Sequence, residues 1–299
     1  MNKKKNILVI GASGFVGRAL TKKLLGTGHN IFLTSRDEKF RCRGARVYFG
    51  DIFNGKFCNK ILRGIDVVYY LAGYKENVLG HTERPFDFIL GNVRPMLSFL
   101  DALRRSHATR MIYLSSVLVD YVLEQGEEID GYASGKYINE LILRSFAKQS
   151  RINIKIIRSV SIYGPGDNFN QETANLIPAL IEKVAQARRG VTIWGNGKRR
   201  MQFIYIDDLV ANLLAVGGNY KSDFYIFGNP ETASVKEIVE KIMKYLDKKI
   251  LVSHDLAKPG KPTKLFKFNN LVKPAVAVDE GLKRVVNFYV RDISHYSHL

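Results

Sequence analysis

From Asn6 onward, short β-rich apolar runs alternate with longer stretches whose apolar positions recur every three or four residues. The runs at 6–10, 30–34, 46–49, 67–71, 110–114 and 153–157 predict strands. Between the first two, the stretch 16–25 sets Leu20, Leu24 and Leu25 on one face and Arg18, Lys22 and Lys23 on the other. That pattern predicts an amphipathic helix, stopped by Gly26 and Gly28. Such alternation predicts an α/β fold: a doubly wound parallel sheet with helices on both faces. After Tyr163-Gly164-Pro165-Gly166 the rhythm loosens into a helix at 176–187, a strand at 191–194 and helices at 234–246 and 279–288. Pro259, Pro262 and Pro274 break the intervening chain into loops. The expected organisation is a sheet domain over 1–165, with 202–216 packing back on it, and a smaller cap over 166–299.

At 299 residues one core is near its practical limit, which agrees with a large domain and a smaller companion. No apolar run approaches the roughly 18 residues of a membrane span. Lys3, Lys4 and Lys5 precede an apolar stretch, but it ends at Gly11 without a small-residue cleavage site, so a first buried strand is the expectation rather than a secretory signal. Only Cys42 and Cys58 are present, without a CxxC pair, and the six histidines, His295 and His298 of the tail included, show no HxxxH spacing. A reducing cytoplasm and no metal site are expected. The net charge of +18 would suit a nucleic-acid binder. Its basic residues are scattered, however, and the densest group, Lys198-Arg199-Arg200, is short. Sites for anionic ligands are the preferred explanation.

Gly11-Ala12-Ser13-Gly14-Phe15-Val16-Gly17 follows the first strand and opens the first helix. The glycines permit a tight turn, let the backbone approach a pyrophosphate and bring helix close to strand, while the helix N-terminus offers free N–H groups to the anion. This is the context of a Rossmann-type dinucleotide site. At the end of the second strand, where a carboxylate would bind a ribose 2′-hydroxyl, stand Ser35 and Arg36. Arg36 suits a 2′-phosphate, so NADP is expected over NAD, although Asp37 stands nearby. Tyr132 and Lys136 fall four residues apart, on one face of a helix. A lysine cation and the positive charge of a nicotinamide should together draw the phenol down from its usual value near 10 towards a useful proton shuttle. Leu114-Ser115-Ser116 ends a predicted strand, where a hydroxyl could hold a substrate oxygen opposite the phenol.

Taken together, these segments resemble the extended short-chain dehydrogenase/reductase family, specifically its NAD-dependent epimerase/dehydratase group acting on nucleotide sugars. The likeness continues through Gly50-Asp51-Ile52, Leu71-Ala72-Gly73, Asn92, Glu140, Arg158, Ile162-Tyr163-Gly164-Pro165 and Phe203-Ile204-Tyr205-Ile206-Asp207-Asp208. It implies a catalytic set of Ser116, Tyr132 and Lys136, and cofactor contacts from Gly11, Ser13, Gly14, Phe15, Val16, Gly17, Arg36, Asp51, Ile52, Leu71, Ala72, Gly73, Asn92, Ser115, Ser159 and Val160 as well as Tyr132 and Lys136. The substrate half is similar to GDP-fucose synthases in Gly166-Asp167-Asn168-Phe169, Ile177-Pro178-Ala179-Leu180, Trp194-Gly195 and the 260–264 loop. It implies a nucleotide-sugar-binding cap with contacts from Ser116, Ser161, Asn175, Leu176, Lys183, Trp194, Arg200 and Gln202. The Asp207-Asp208 pair is expected to cap a helix. A homodimer is implied as well.

The departures narrow the chemistry. Leu118 and Asn175 stand where GDP-fucose synthases carry the cysteine and histidine that epimerise carbons beside the ketone. Neither leucine nor an amide exchanges protons usefully. Val117 and Leu118 likewise replace the acidic residues of the dehydratases. Met201 replaces an arginine for substrate phosphate, a role left to Arg199 or Arg200; Ser161 replaces an asparagine; and the stretch from Ser116 to Tyr132 is short. What remains is hydride chemistry at one carbinol centre, as a 4-ketoreductase or a C4-epimerase of a nucleotide-diphosphate sugar. The alternative is a non-catalytic member that binds RNA or a regulatory partner, against which the intact Tyr132–Lys136 pair speaks.

Overall fold

The computed structural model describes residues 3–75, 78–124, 130–170, 173–218, 222–257 and 263–293. The chain divides into two compact units, Met1–Ser159 with Val210–Tyr225, and Val160–Leu209 with Ile226–Leu299.

In the first unit the elements follow as β1 (Asn6–Ile10), α1 (Phe15–Leu24), β2 (Asn30–Ser35), β3 (Arg46–Phe49), α2 (Gly55–Ile61) and β4 (Val67–Tyr70). Then come α3 (Val78–Glu83), α4 (Pro85–Leu103), β5 (Arg110–Ser116), α5 (Val119–Val122), α6 (Gly131–Gln149) and β6 (Asn153–Ser159). All six expected strands are present. β5 and β6 each run two residues past their expected ends, because Ser115 and Ser116 continue the ladder against Arg158 and Ser159. In the second unit lie β7 (Ser161–Tyr163), α7 (Leu176–Gln186), β8 (Gly190–Trp194) and β9 (Arg200–Tyr205), then β11 (Thr232–Ser234), α9 (Val235–Tyr245), β12 (Leu251–Asp255) and α10 (Val278–Phe288); α8 (Ile206–Val216) and β10 (Phe224–Phe227) span the unit boundaries.

The main sheet has seven strands in the order β10-β6-β5-β4-β1-β2-β3. The pairs from β3 across to β6 are parallel. Its order reverses between β1 and β4, the switch point at which doubly wound sheets open a crevice beyond their carboxyl ends. Leu8, Ile10, Val68, Tyr70, Met111 and Tyr113 fill one face, packed with Met96, Phe99, Leu100 and Leu103 of α4. In the second unit β9 lies between β11 and β7, and β12 pairs with β8.

Asp207 and Asp208 sit inside the first turn of α8 rather than at its cap. Asp208 instead accepts the backbone N–H groups of Ala275 (2.9 Å) and Val276 (3.2 Å). The chain enters α8 directly from β9, so the residue before the helix is Tyr205, whose long phenol is no capping side chain.

Candidate active site

The carboxyl ends of β1, β2, β4, β5 and β6 bring Gly11, Ser35, Leu71, Ser116 and Ser159 to one edge of the sheet. At the end of β1 the chain turns sharply. Gly11 adopts φ +83°, and a Cβ there would lie 2.8 Å from the Ala72 amide nitrogen. A Cβ on Gly17 would lie 2.1 Å from the Gly11 carbonyl oxygen, so only glycine lets α1 approach β1 this closely. Outside Gly14 the space is open except for that carbonyl at 3.3 Å. Gly14 caps α1 without any side-chain bond, and the first turn, which includes Phe15 and Val16, carries no acid. A tight glycine corner with uncapped N–H groups and open space before it fits a pyrophosphate. Ser13, half-buried, lies in the same corner.

Around this corner the other expected cofactor residues divide into available and committed groups. Arg36 is exposed directly after β2. The Ser35 hydroxyl receives the Asp37 amide (3.0 Å), and the Asp37 carboxylate receives the amide of Lys39 (2.9 Å). The nearby acid is thereby turned into its own loop. Asp51 accepts the Phe53 amide (3.0 Å), and the Ile52 carbonyl accepts the Cys58 thiol, which burial pushes up to about 11. The Leu71 amide donates to Ile10. Asn92 holds both backbone groups of Tyr74, and a Cβ on Gly73 would lie 3.2 Å from the Lys136 ammonium.

Tyr132 stands in the first turn of α6, whose N-cap Asp130 accepts the Ala133 amide at 3.0 Å. Lys136, one turn on, is buried and donates to the Leu114 carbonyl at 2.9 Å, which ties α6 to the end of β5. Its ammonium lies 4.9 Å from the Tyr113 ring centroid and 5.7 Å from that of Tyr132. Burial pushes Lys136 down to about 8; Glu140 opposes that change and Lys75 adds to it. The Tyr132 phenol is raised above its usual value, by burial first and by the Asp130 carboxylate second. The lysine alone therefore does not lower the phenol. A dry surrounding disfavours phenolate more than the neighbouring ammonium favours it.

Successive strand residues face opposite ways, and the two serines at the end of β5 show it. Ser115 is buried and donates to Glu140 at 2.6 Å. Glu140 also takes two bonds from Arg158, at 2.8 and 2.6 Å, and Arg158 reaches Asp120 at 2.5 Å. Ser115 thus belongs to a buried ionic network under the site. Ser116 is half-buried and accepts the Leu118 amide at 3.2 Å. The Ser159 carbonyl receives the Val117 amide, whereas Val160 opens the second unit and donates to Phe227.

In the second unit the expected substrate residues are less uniform. Asn175 caps α7 just before Leu176, and its amide donates to the Asp167 carboxylate at 3.3 Å. Lys183 lies in the last turn of α7 and donates to the Thr192 carbonyl. Eight residues of helix, about 12 Å, separate it from Asn175. Trp194 is exposed at the end of β8, and Ser161 opens β7 half-buried. Gln202 spends both ends of its amide on the Phe266 backbone (3.2 and 2.7 Å). Arg200 binds Thr232 twice and pairs with Glu237 at 3.1 Å. Among the described residues the buried Nε of Arg199 finds no partner. The 260–264 loop lies mostly, and His295 and His298 entirely, outside the described residues. No group of His, Cys, Asp and Glu able to hold a metal is found among the described residues.

A switch-point sheet, a glycine corner and a Tyr–Lys pair beside a strand-end serine define an enzyme of the extended short-chain dehydrogenase/reductase type. The chain belongs to the NAD dependent epimerase/dehydratase family, whose model matches residues 7–225. It is 25% identical to a dTDP-4-dehydro-6-deoxy-D-allose reductase from a Streptomyces species, over 89% of each chain. It is 24% identical to GDP-L-fucose synthase of Escherichia coli, over 90% of each. UDP-glucose 4-epimerase of Thermotoga maritima, solved with UDP-glucose, shares the fold with a TM-score of 0.85 at 20% identity, over 96% of this chain and 99% of that one. No helix among the described residues is long and apolar enough to cross a membrane.

Proposed function

We propose that the protein reduces a 4-keto nucleotide-diphosphate sugar, with NADP preferred over NAD, in the cytoplasm. The first unit would hold the dinucleotide and the second the nucleotide sugar. The observation that carries this reading is Lys136 tied to Leu114 at the end of β5, two residues before Ser116, with Tyr132 one turn back on the same helix, while Leu118 and Asn175 leave out the two acid/base residues of the GDP-fucose synthases. The dinucleotide, when bound, supplies hydride to the carbonyl carbon. Ser116 holds the carbonyl oxygen and Tyr132 gives it a proton, while Lys136 carries a proton at Nζ close by. A phenol that burial keeps protonated suits a proton donor. A C4-epimerase would use the same three side chains, with Tyr132 acting first as a base. The name of the Streptomyces relative supports the reductase.

Arg36, exposed while Asp37 gives one carboxylate oxygen to its own loop, supports the 2′-phosphate of NADP. For the substrate diphosphate, Arg199 is favoured over Arg200, which is already committed to Thr232 and Glu237. A homodimer is supported by Phe86, Leu90 and Leu97, exposed along α4, and by Leu141 on α6. Protein purified without added ligand and then denatured should release a nicotinamide dinucleotide and a nucleotide sugar, both identified by mass spectrometry. Release of UDP- or GDP-hexose with tightly held NAD instead of NADP would overturn the reductase in favour of the epimerase.

A further inference from the structure

His81, in α3, is buried beside the candidate proton donor and shows no ligand spacing in the sequence. Its imidazole lies nearly flat on the Tyr132 ring, with centroids 5.0 Å apart and planes at 19°. Phe88 of α4 meets the same imidazole edge-on at 4.9 Å. Nδ1 is 3.5 Å from the Asp130 carboxylate, and neither ring nitrogen makes a hydrogen bond among the described residues. Among the described residues, then, the ring contributes its flat face and its closeness to that carboxylate. Asp130 also caps the helix that carries Tyr132 and Lys136. Between them Gly131 presses on α4 so closely that a Cβ would lie 2.3 Å from the Pro85 carbonyl oxygen. The start of α6 is thereby pinned, and what remains free in Tyr132 is rotation about its two side-chain bonds, of which only the first swings the hydroxyl through space.

We propose that His81 is a positioning residue for Tyr132: its ring face, held beside Asp130, blocks the sideways swing of the phenol and so fixes where its hydroxyl meets the substrate oxygen. The proposal rests on the reading of Tyr132 as proton donor. Displacing a reacting group by about 1 Å can cost on the order of 100-fold in rate, so losing the stack should cost about 10-fold or more.

The test compares His81→Ala, His81→Phe and the wild-type protein in turnover of 4-keto nucleotide sugars and in tyrosine ring NMR signals, with Tyr132 assigned through Tyr132→Phe. His81→Ala should shift the Tyr132 signals and lower kcat about 10-fold with KM unchanged. His81→Phe should restore the signals and most of kcat, because it keeps a flat ring. If His81→Ala fails to fold, His81→Leu fills the volume without a ring and takes its place. Unmoved signals and kcat in the ring-less variant, or a folded His81→Phe as impaired as His81→Ala, would overturn the proposal. A wild-type protein inactive on every keto sugar, with ring signals shifting as expected, would instead refute the reading of the site and leave the stack standing.

Discussion

Replacing Lys136 with methionine removes a buried ammonium while keeping an unbranched side chain of similar length. In the folded protein burial holds Lys136 at about 8 against an ordinary 10.5. Below pH 8 the folded and unfolded chains both carry the proton, and folding bears the full cost of burying the charge. Between about 8 and 10.5 the unfolded chain binds more protons than the folded one, so the free energy of unfolding rises with pH. At about 1.4 kcal/mol per pH unit the rise is about 3 kcal/mol. Tyr69, Tyr70, Tyr113 and Tyr163 are all raised by burial and act in the opposite sense above pH 10, where the unfolded chain loses phenolic protons that the folded chain keeps. The terms of Tyr69, Tyr70 and Tyr163 are common to both proteins and cancel in their difference, while Tyr113, which touches Lys136, enters only above pH 10. Urea unfolding of wild type and Lys136→Met at pH 7, 8, 9 and 10 measures that difference directly. Wild type should gain on the variant by about 2.5 kcal/mol over the range, most of it between pH 8 and 10. A difference that stays flat with pH would show that Lys136 titrates normally, and the dry setting deduced for the Tyr132–Lys136 pair would then be wrong.

Glu140→Gln leaves the Arg158 guanidinium buried opposite an amide, so stability should fall by about 3–5 kcal/mol; a loss under about 1 kcal/mol in urea would contradict a buried pair. Gly17→Ala sets a methyl 2.1 Å from the Gly11 carbonyl, and should abolish NADPH binding by fluorescence titration while lowering Tm; unchanged affinity would remove the glycine corner from the cofactor site. Arg199→Ala should raise KM for a nucleotide sugar about 10-fold with stability unchanged, by loss of a charge-assisted bond worth about 1.5–3 kcal/mol. Arg200→Ala should instead lower Tm, and the reverse pattern would exchange their roles. Arg36→Ala should weaken NADPH but not NADH; equal affinities in wild type and variant would refute the 2′-phosphate assignment.

The parallel sheet was legible because its signals are local. Each β-rich run lies between glycine or polar punctuation, and Gly11, Gly14 and Gly17 fix one particular turn. The Tyr132–Lys136 spacing was legible for the same reason, since one helical turn sets it. What escaped was tertiary. The phenol's rise depends on how completely other elements exclude water, and no spacing records that. His81 escaped because its partners, Phe88 and Tyr132, come from α4 and α6 through packing alone. Gln202 and Arg200 drew attention by position, yet their side chains hold Phe266 and Thr232 in place. A polar residue at a promising site can be consumed by the backbone around it, which only coordinates reveal.

The most direct measurement is oxidation of NADPH at 340 nm with a panel of 4-keto nucleotide sugars, comparing wild type with Tyr132→Phe. Wild type should turn over at least one of these substrates. The variant, still binding NADPH, should be slower by about 100-fold or more, the contribution of a placed proton donor. Equal rates in the two proteins would show that the proton comes from elsewhere.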